Sequence, residues 1–353
     1  MSKLKFILKQ HTPMIHFQSD QAGATLRATE LKPKLDRFLI KYAFEDDFER
    51  YKKFLIGYDS KKNENDFDGK KAFDYKVKIK ANGKETSLPN NFLYFANNSV
   101  ENEQDKKHTV QATSLEIEFF SFKTDLIEKI KDYFDDFLLV SNFGARSTKG
   151  YGSFSRDTKK IEIEERLKKY YSSVFKVINP NISKWENSVD RTHKLLKAGI
   201  NFREYQKSYL FEYMCTKNIR WEKKKIKQEF PNVIGAQDKE AIDCSVVADD
   251  RFRYVRAMLG VAGINEYDRG NKTVTISSDE IERFASPIIY KIIDNNIYLL
   301  CNDSYENIMD KSFTFTYQRD SFTINTPSHD EFNLYEFLKY VEKNKQIIKE
   351  VTA

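Results

Sequence analysis

The sequence predicts an α+β fold in which helices pack on one face of an antiparallel sheet. Three observations predict it. Polar and apolar residues alternate over 3–9, 73–81 and 114–122, the period of half-buried strands. Apolar residues recur at helical spacing over 29–42 and 124–139. The resulting order of strand, helices, hairpin, strand, helix suits a sheet with its helices on a single side.

The first strand, KLKFILK, stops at His11-Thr12-Pro13, because proline has no N–H to give a ladder. A polar stretch, 19–29, leads into the first helix, with Thr29 as its expected N-cap and Pro33 in its first turn. Phe48, Tyr51 and Leu55 suggest a second helix. Residues 59–72 are charged and poor in apolar side chains, so a mobile loop is expected there. The strand 73–81 runs into Asn82-Gly83, a strong hairpin signal. After a polar loop at 97–108 come the strand 114–122 and an amphipathic helix with Leu126, Ile130 and Phe134 on one face. The RNA-recognition-motif-like, or ferredoxin-like, arrangement belongs to this class.

The character changes after Phe154, which places a domain boundary near 156 and gives domains 1–156 and 157–353. Helices are expected at 162–177, 182–198 and 202–229, then strands at 287–293 and 297–301 joined by Asp294-Asn295-Asn296, then a closing helix at 333–351. The second domain reads as a helical elaboration or another ferredoxin-like unit.

The 353 residues carry a net charge of +6, which permits a polyanionic partner without requiring one. Cys215, Cys244 and Cys301 are odd in number and far apart, so neither a disulfide framework nor a zinc site is expected. The charged N-terminal segment lacks the apolar run of a signal peptide, and no stretch approaches ~20 apolar residues, which points to the cytoplasm and away from a membrane. No cofactor motif is present.

The most informative segment is Gly144-Ala145-Arg146-Ser147-Thr148-Lys149-Gly150-Tyr151-Gly152, which follows a helix directly. Glycines let the chain turn through positive φ, so that N–H groups converge on an anion. Arg146 and Lys149 suit phosphate oxygens, Ser147 and Thr148 offer hydroxyl donors, and Tyr151 offers a ring for stacking on a base or ribose. The bland reading is a helix C-cap followed by a solvated basic turn. The spacing is neither a Walker A loop nor a GxGxxG turn.

This loop resembles the glycine-rich loop of RAMP proteins, in which basic or hydroxyl residues precede G-[YF]-G. The opening is also similar to theirs: Thr12-Pro13, Arg27, Thr29, Leu31, Lys32 and Arg37 fill the places of a strand ending in Thr-Pro and a segment leading into a helix. Pro33 stands where the family usually carries glycine. Arg283-Phe284-Ala285-Ser286-Pro287 resembles the Arg-x-Ala-Ser-Pro element of Cmr-type subunits. Together these identify the chain as resembling a RAMP-superfamily subunit of a type III-B (Cmr) CRISPR effector, most like the first-numbered Cmr subunit, with the sixth-numbered as runner-up.

The resemblance implies a non-catalytic subunit that holds the 3′ region of the crRNA and its paired target RNA, beside other RAMP subunits. Base pairing reads sequence while protein reads backbone and charge. Arg27, Lys32, Lys34 and Arg37 would line one side of a groove. Gly144, Arg146, Ser147, Thr148, Lys149, Gly150, Tyr151 and Gly152 would line the other. The alternative is a metal-independent RAMP endoribonuclease processing pre-crRNA, with His11, His16, Tyr151 and Lys149 as candidate acids and bases. The basic run Arg220–Lys225 reads as one exposed face of a long helix, with RNA contact as the second reading.

Overall fold

The computed structural model describes residues 2–15, 26–59, 62–67, 69, 71–82, 109–112, 114–156, 160–202, 204–233, 251–262, 265–268 and 272–352. The Asn82-Gly83 turn, the loop 97–108, His16 and Cys244 fall wholly or partly outside them. The described chain is α+β with several antiparallel sheets and divides into two compact units: residues 1–170 with 291–295, and 171–290 with 296–353.

In the first unit the elements are β1 (Ser2–Gln10), β2 (Met14–Ile15), α1 (Ala28–Ala43), α2 (Phe48–Tyr51), β3 (Lys76–Asn82), β4 (Thr109–Val110), β5 (Ser114–Ser121), α3 (Thr124–Val140), β6 (Phe154–Ser155) and α4 (Lys160–Lys168). Its main sheet has the order β3-β5-β1-β6, antiparallel throughout. Alternation decides which face is covered. Phe6 and Leu8 of β1 and Leu115, Ile117 and Phe119 of β5 point inward onto Leu31, Leu35 and Leu39 of α1 and Ile130, Phe134 and Phe137 of α3. Phe134 anchors the contact, 5.0 Å from the Phe6 ring and 4.9 Å edge-on from Phe119.

Two details of α1 differ from expectation. The helix starts at Ala28, so Arg27 rather than Thr29 occupies the N-cap position, and Pro33 lies beyond the first turn. Within the segment 59–72, Glu64–Phe67 form a 3-10 turn that buries Phe67. α4 belongs to the first unit, where Arg166 and Tyr170 both bond Asp136 of α3.

The second unit contains β7 (Ser173–Val177), α5 (Trp185–Lys197), β8 (Ile200–Phe202), β9 (Glu204–Gln206), α6 (Tyr209–Thr216), β10 (Arg220–Trp221), α7 (Glu222–Glu229), β11 (Phe252–Arg253), β12 (Asn265–Asp268), β13 (Thr273–Ser277), the start of β14 (Ile288–Ile293, whose residues 291–293 count with the first unit), β15 (Asn296–Cys301), β16 (Ser312–Tyr317), β17 (Asp320–Asn325), α8 (Leu334–Lys345) and β18 (Ile348–Glu350). One sheet runs β14-β15-β7-β18, and another runs β12-β13-β16-β17.

Three expected helices are corrected here. The helix at 162–177 ends at Lys168, and Ser173–Val177 leaves the helix to join a sheet as β7, paired with β15. The long helix at 202–229 is broken: Ser208 caps a new start at α6, and Asn218 takes a left-handed φ of 59° before β10. The closing helix stops at Gln346, also left-handed, and β18 pairs with β7. Cys215 is disulfide-bonded, against the expectation of unpaired thiols, while Cys301 is free and buried.

Candidate nucleic-acid interface

The strand β1 and the glycine-rich loop are stitched together. After β1 the chain turns at Thr12-Pro13, where the Thr12 hydroxyl and the Pro13 carbonyl meet the loop. The Thr12 hydroxyl donates to the Gly150 carbonyl at 2.6 Å and accepts from the Ser153 N–H at 2.9 Å. The Gly152 N–H reaches the Pro13 carbonyl at 2.9 Å, and the Ala145 N–H reaches the Ile15 carbonyl at 2.8 Å. The stem closes through the Phe143 N–H on the Gly152 carbonyl at 3.0 Å. Such tight backbone pairing demands glycine. A Cβ on Gly144, at φ +81°, would lie 2.5 Å from the Ile15 carbonyl oxygen, and one on Gly152, at φ +65°, would overlap the Phe143 carbonyl.

Ser147–Lys149 form a single 3-10 turn between two left-handed residues, Arg146 at φ 55° and Gly150 at φ 88°. Arg146, Ser147, Thr148 and Lys149 are half-exposed at its tip. Gly144, Gly150 and Gly152 are buried beneath them as frame. Tyr151 is also frame: at 3 % exposure its ring is packed inside, which corrects the expectation of a stacking surface.

The first turns of α1 hold the entry to the loop. Glu30 accepts from the Gly144 N–H at 2.6 Å and from Lys34 at 3.1 Å. Lys34 also donates to the Asn142 carbonyl at 3.0 Å and lies over the Phe143 ring. Lys34 is therefore a brace for the loop. Lys32 turns elsewhere, to buried Asp36 at 2.8 Å, to the Phe73 carbonyl at 2.7 Å and over the Tyr75 ring at 3.9 Å. Internal acceptors thus occupy its ammonium. Arg27 is half-exposed at the helix start, and Arg37 is exposed.

Sequence reasoning missed Lys291. It is fully buried in the first unit and donates to the Leu138, Ser141 and Phe154 carbonyls at 2.7, 2.8 and 3.2 Å. The first two end α3, where a cation satisfies orphan carbonyls, and the third begins β6. Lys291 thus ties together the two stems from which the loop projects. Burial pushes it well below the ordinary lysine range, while three carbonyl acceptors match the three N–H groups that only the ammonium has. A lysine inside the apolar run IIYKII was the available signal.

His11 lies beside this frame. Its Nδ1 accepts the Asp294 N–H at 3.1 Å, so Nε2 carries the proton and donates to the Ser155 hydroxyl at 2.7 Å. Burial first, then Lys291 and Lys9, lower its pKa to about 4 against the pull of Asp294. Both ring nitrogens are engaged within the frame. The Arg220–Lys225 run is not an exposed helix face. Trp221, Glu222 and Lys223 are buried, and Glu222 accepts from the Val255 N–H at 3.1 Å and from Arg256. The Arg283–Pro287 element bridges Val261 to Phe284 and leads into β14.

Residues 1–208 match the family described as the Cmr1 N-terminal domain, and residues 205–352 match the Cmr1 C-terminal domain. The chain belongs to the Cmr1 family. These are the first-numbered subunits of type III-B CRISPR effectors, within the RAMP superfamily. Among solved structures, the chain is similar to the crystal structure of Cmr1 from Pyrococcus furiosus in its apo form. The match has 11 % identity, covers 99 % of each chain and gives a TM-score of 0.45. No curated protein sequence matches the chain. The Cmr1 matches also favour the first-numbered over the sixth-numbered subunit as the counterpart. Among the described residues, no helix is long and apolar enough to cross a membrane.

Proposed function

We propose that this Cmr1-family chain is a non-catalytic RNA-gripping subunit of a crRNA-guided type III-B effector. It holds the 3′ region of the crRNA and its paired target, beside other RAMP subunits. The observation that carries the reading is the braced loop. A short turn bearing two cations and two hydroxyls is fixed to the end of β1 by Thr12 and to α1 by Glu30, and so is set before any ligand arrives. Arg27 and Arg37 on α1 extend the cationic wall. Contacts of this kind read backbone charge and shape, while base pairing reads sequence.

The sheet order supports a ferredoxin-like reading of both units. In the first, β1, α1, β3, β5, α3 and β6 follow a β-α-β-β-α-β course with the order β3-β5-β1-β6. In the second, β7, α5, β14, β15, α8 and β18 give the corresponding order β14-β15-β7-β18, with α6, α7 and the β12-β13-β16-β17 sheet inserted along the way. The engaged, neutral His11 supports the non-catalytic reading.

The test is a photo-cross-linking residue at Thr148 in the complex assembled with crRNA and target. Cross-links are expected in the 3′ part of the guide or the target paired to it. Cross-links only to protein would overturn the proposal.

A further inference from the structure

The open face of the first unit's sheet carries a pattern that the loop does not use. Residues opposite each other in antiparallel strands share a face. Across β3, β5 and β1 the outward rows are Lys80–Glu116–Ile7, Lys78–Glu118–Lys5 and Lys76–Phe120–Lys3. Five lysines therefore face two glutamates. Lys5 reaches Glu118 at 3.2 Å and Glu116 at 3.7 Å, and Lys3 reaches Glu118 at 4.0 Å, all as solvent-exposed pairs of little strength. Among the described residues, Lys76, Lys78 and Lys80 have no carboxylate within salt-bridge distance. The apolar members are also exposed: Ile7 at 71 % and Phe122, just past β5, at 78 %, with the Phe120 and Phe122 rings 5.4 Å apart edge to face.

We propose that this face is a second RNA-contact surface, which takes a single-stranded segment. The inference rests on the RNA-binding role proposed above but uses none of its residues. Lysine is depleted from the cores of protein–protein interfaces, so a face built mainly of lysines argues for a polyanion. Same-face lysines recur about every 6.8 Å along a strand, on the order of one nucleotide step of an extended chain. Exposed rings offer stacking only to bases that are splayed out, which a duplex does not present.

The experiment uses the full chain with a fluorescein-labelled single-stranded RNA of roughly 20 nucleotides and a duplex of the same length, across a salt series. One variant combines Lys3→Gln, Lys5→Gln, Lys78→Gln and Lys80→Gln, and a second is Phe122→Ala. All five side chains are on the surface, and thermal melts check that the variants fold. For single strands, the lysine variant is expected to flatten the slope of log K against log salt by roughly 2–3. Phe122→Ala should weaken single-strand binding about fivefold or more and leave duplex binding alone.

Unchanged slope and affinity in both variants would overturn the inference, as would equal losses on duplex. So would a lysine variant that binds RNA normally yet fails to join the complex, because the face would then belong to an acidic protein. Arg146→Glu with Lys149→Glu is the control arm. If only that pair loses RNA, the sheet-face inference fails and the loop reading stands. If only the lysine variant loses RNA, the loop reading fails instead.

Discussion

Replacing Lys291 with methionine keeps most of the side-chain volume and removes the ammonium. Three carbonyls then lose their donor: Leu138, Ser141 and Phe154. A buried acceptor left unsatisfied costs about 1–3 kcal/mol. Against this, the substitution relieves the burial of a charge, a penalty of several kcal/mol per ion. The net expectation is a loss of about 2–4 kcal/mol. At about 2–4 °C per kcal/mol for a unit of this size, that is a fall of roughly 5–15 °C in Tm. Calorimetry reads the fall, and hydrogen exchange should show the amides of 141–154 losing protection first.

The pH dependence of Lys291 has a definite sign. The folded state lowers its pKa, so the unfolded chain binds the proton more tightly. The cost of the buried charge is complete below the folded pKa and fades as pH rises toward 10.5. The stability gap between parent and Lys291→Met should therefore widen on the alkaline side. A variant as stable as the parent, with unchanged exchange at 141–154, would refute the view that Lys291 frames the loop.

Other outcomes follow from the same frame. The folded pKa of His11, about 4, lies below its ordinary 6.5, so its neutral form contributes stability above pH 6.5 that is lost as pH falls through 4. That contribution is about 3 kcal/mol, and an imidazole signal titrating near 6.5 in the folded chain would contradict it. Gly152→Ala forces a Cβ onto the Phe143 carbonyl at positive φ. It should cost at least about 3 kcal/mol, and a Tm equal to the parent's would show that the stem is looser than described. Thr12→Val keeps the shape but deletes the bonds to Gly150 and Ser153. A loss of about 1–3 kcal/mol and weaker RNA binding are expected, and thermal melts with binding curves on one preparation check both.

The first unit was legible in the sequence because its strands alternate cleanly and its helices carry continuous apolar stripes. β1, β5, α1 and α3 all lie within a few residues of where periodicity places them. The second unit was less so. Its strands are short and interleaved with short helices, and Ser173–Val177 and Ile348–Glu350 gain strand form only by pairing with partners far along the chain. No local pattern carries that pairing.

The candidate loop was found from its glycines, but the division of labour within it was hidden. Tyr151 and Lys34 have the residue types of ligand contacts and act as frame, because burial and carbonyl partners are tertiary facts. Glu30 and Lys34 sit one helical turn apart, which signals an ion pair but not the Gly144 N–H that it receives. Lys291 lies about 140 residues from the stems it joins, as far as any sequence spacing could conceal it.

The turn 146–149 is proposed to meet a ribose-phosphate strand through its charges. The direct measurement is RNA affinity of the Arg146→Glu, Lys149→Glu double variant across a salt series, beside the parent chain. Losing two phosphate contacts should flatten the slope of log K against log salt by about 1.5, with affinity falling at every salt concentration. Two superimposed lines would mean that the turn touches no phosphate, and the RNA-gripping role assigned to it would be wrong.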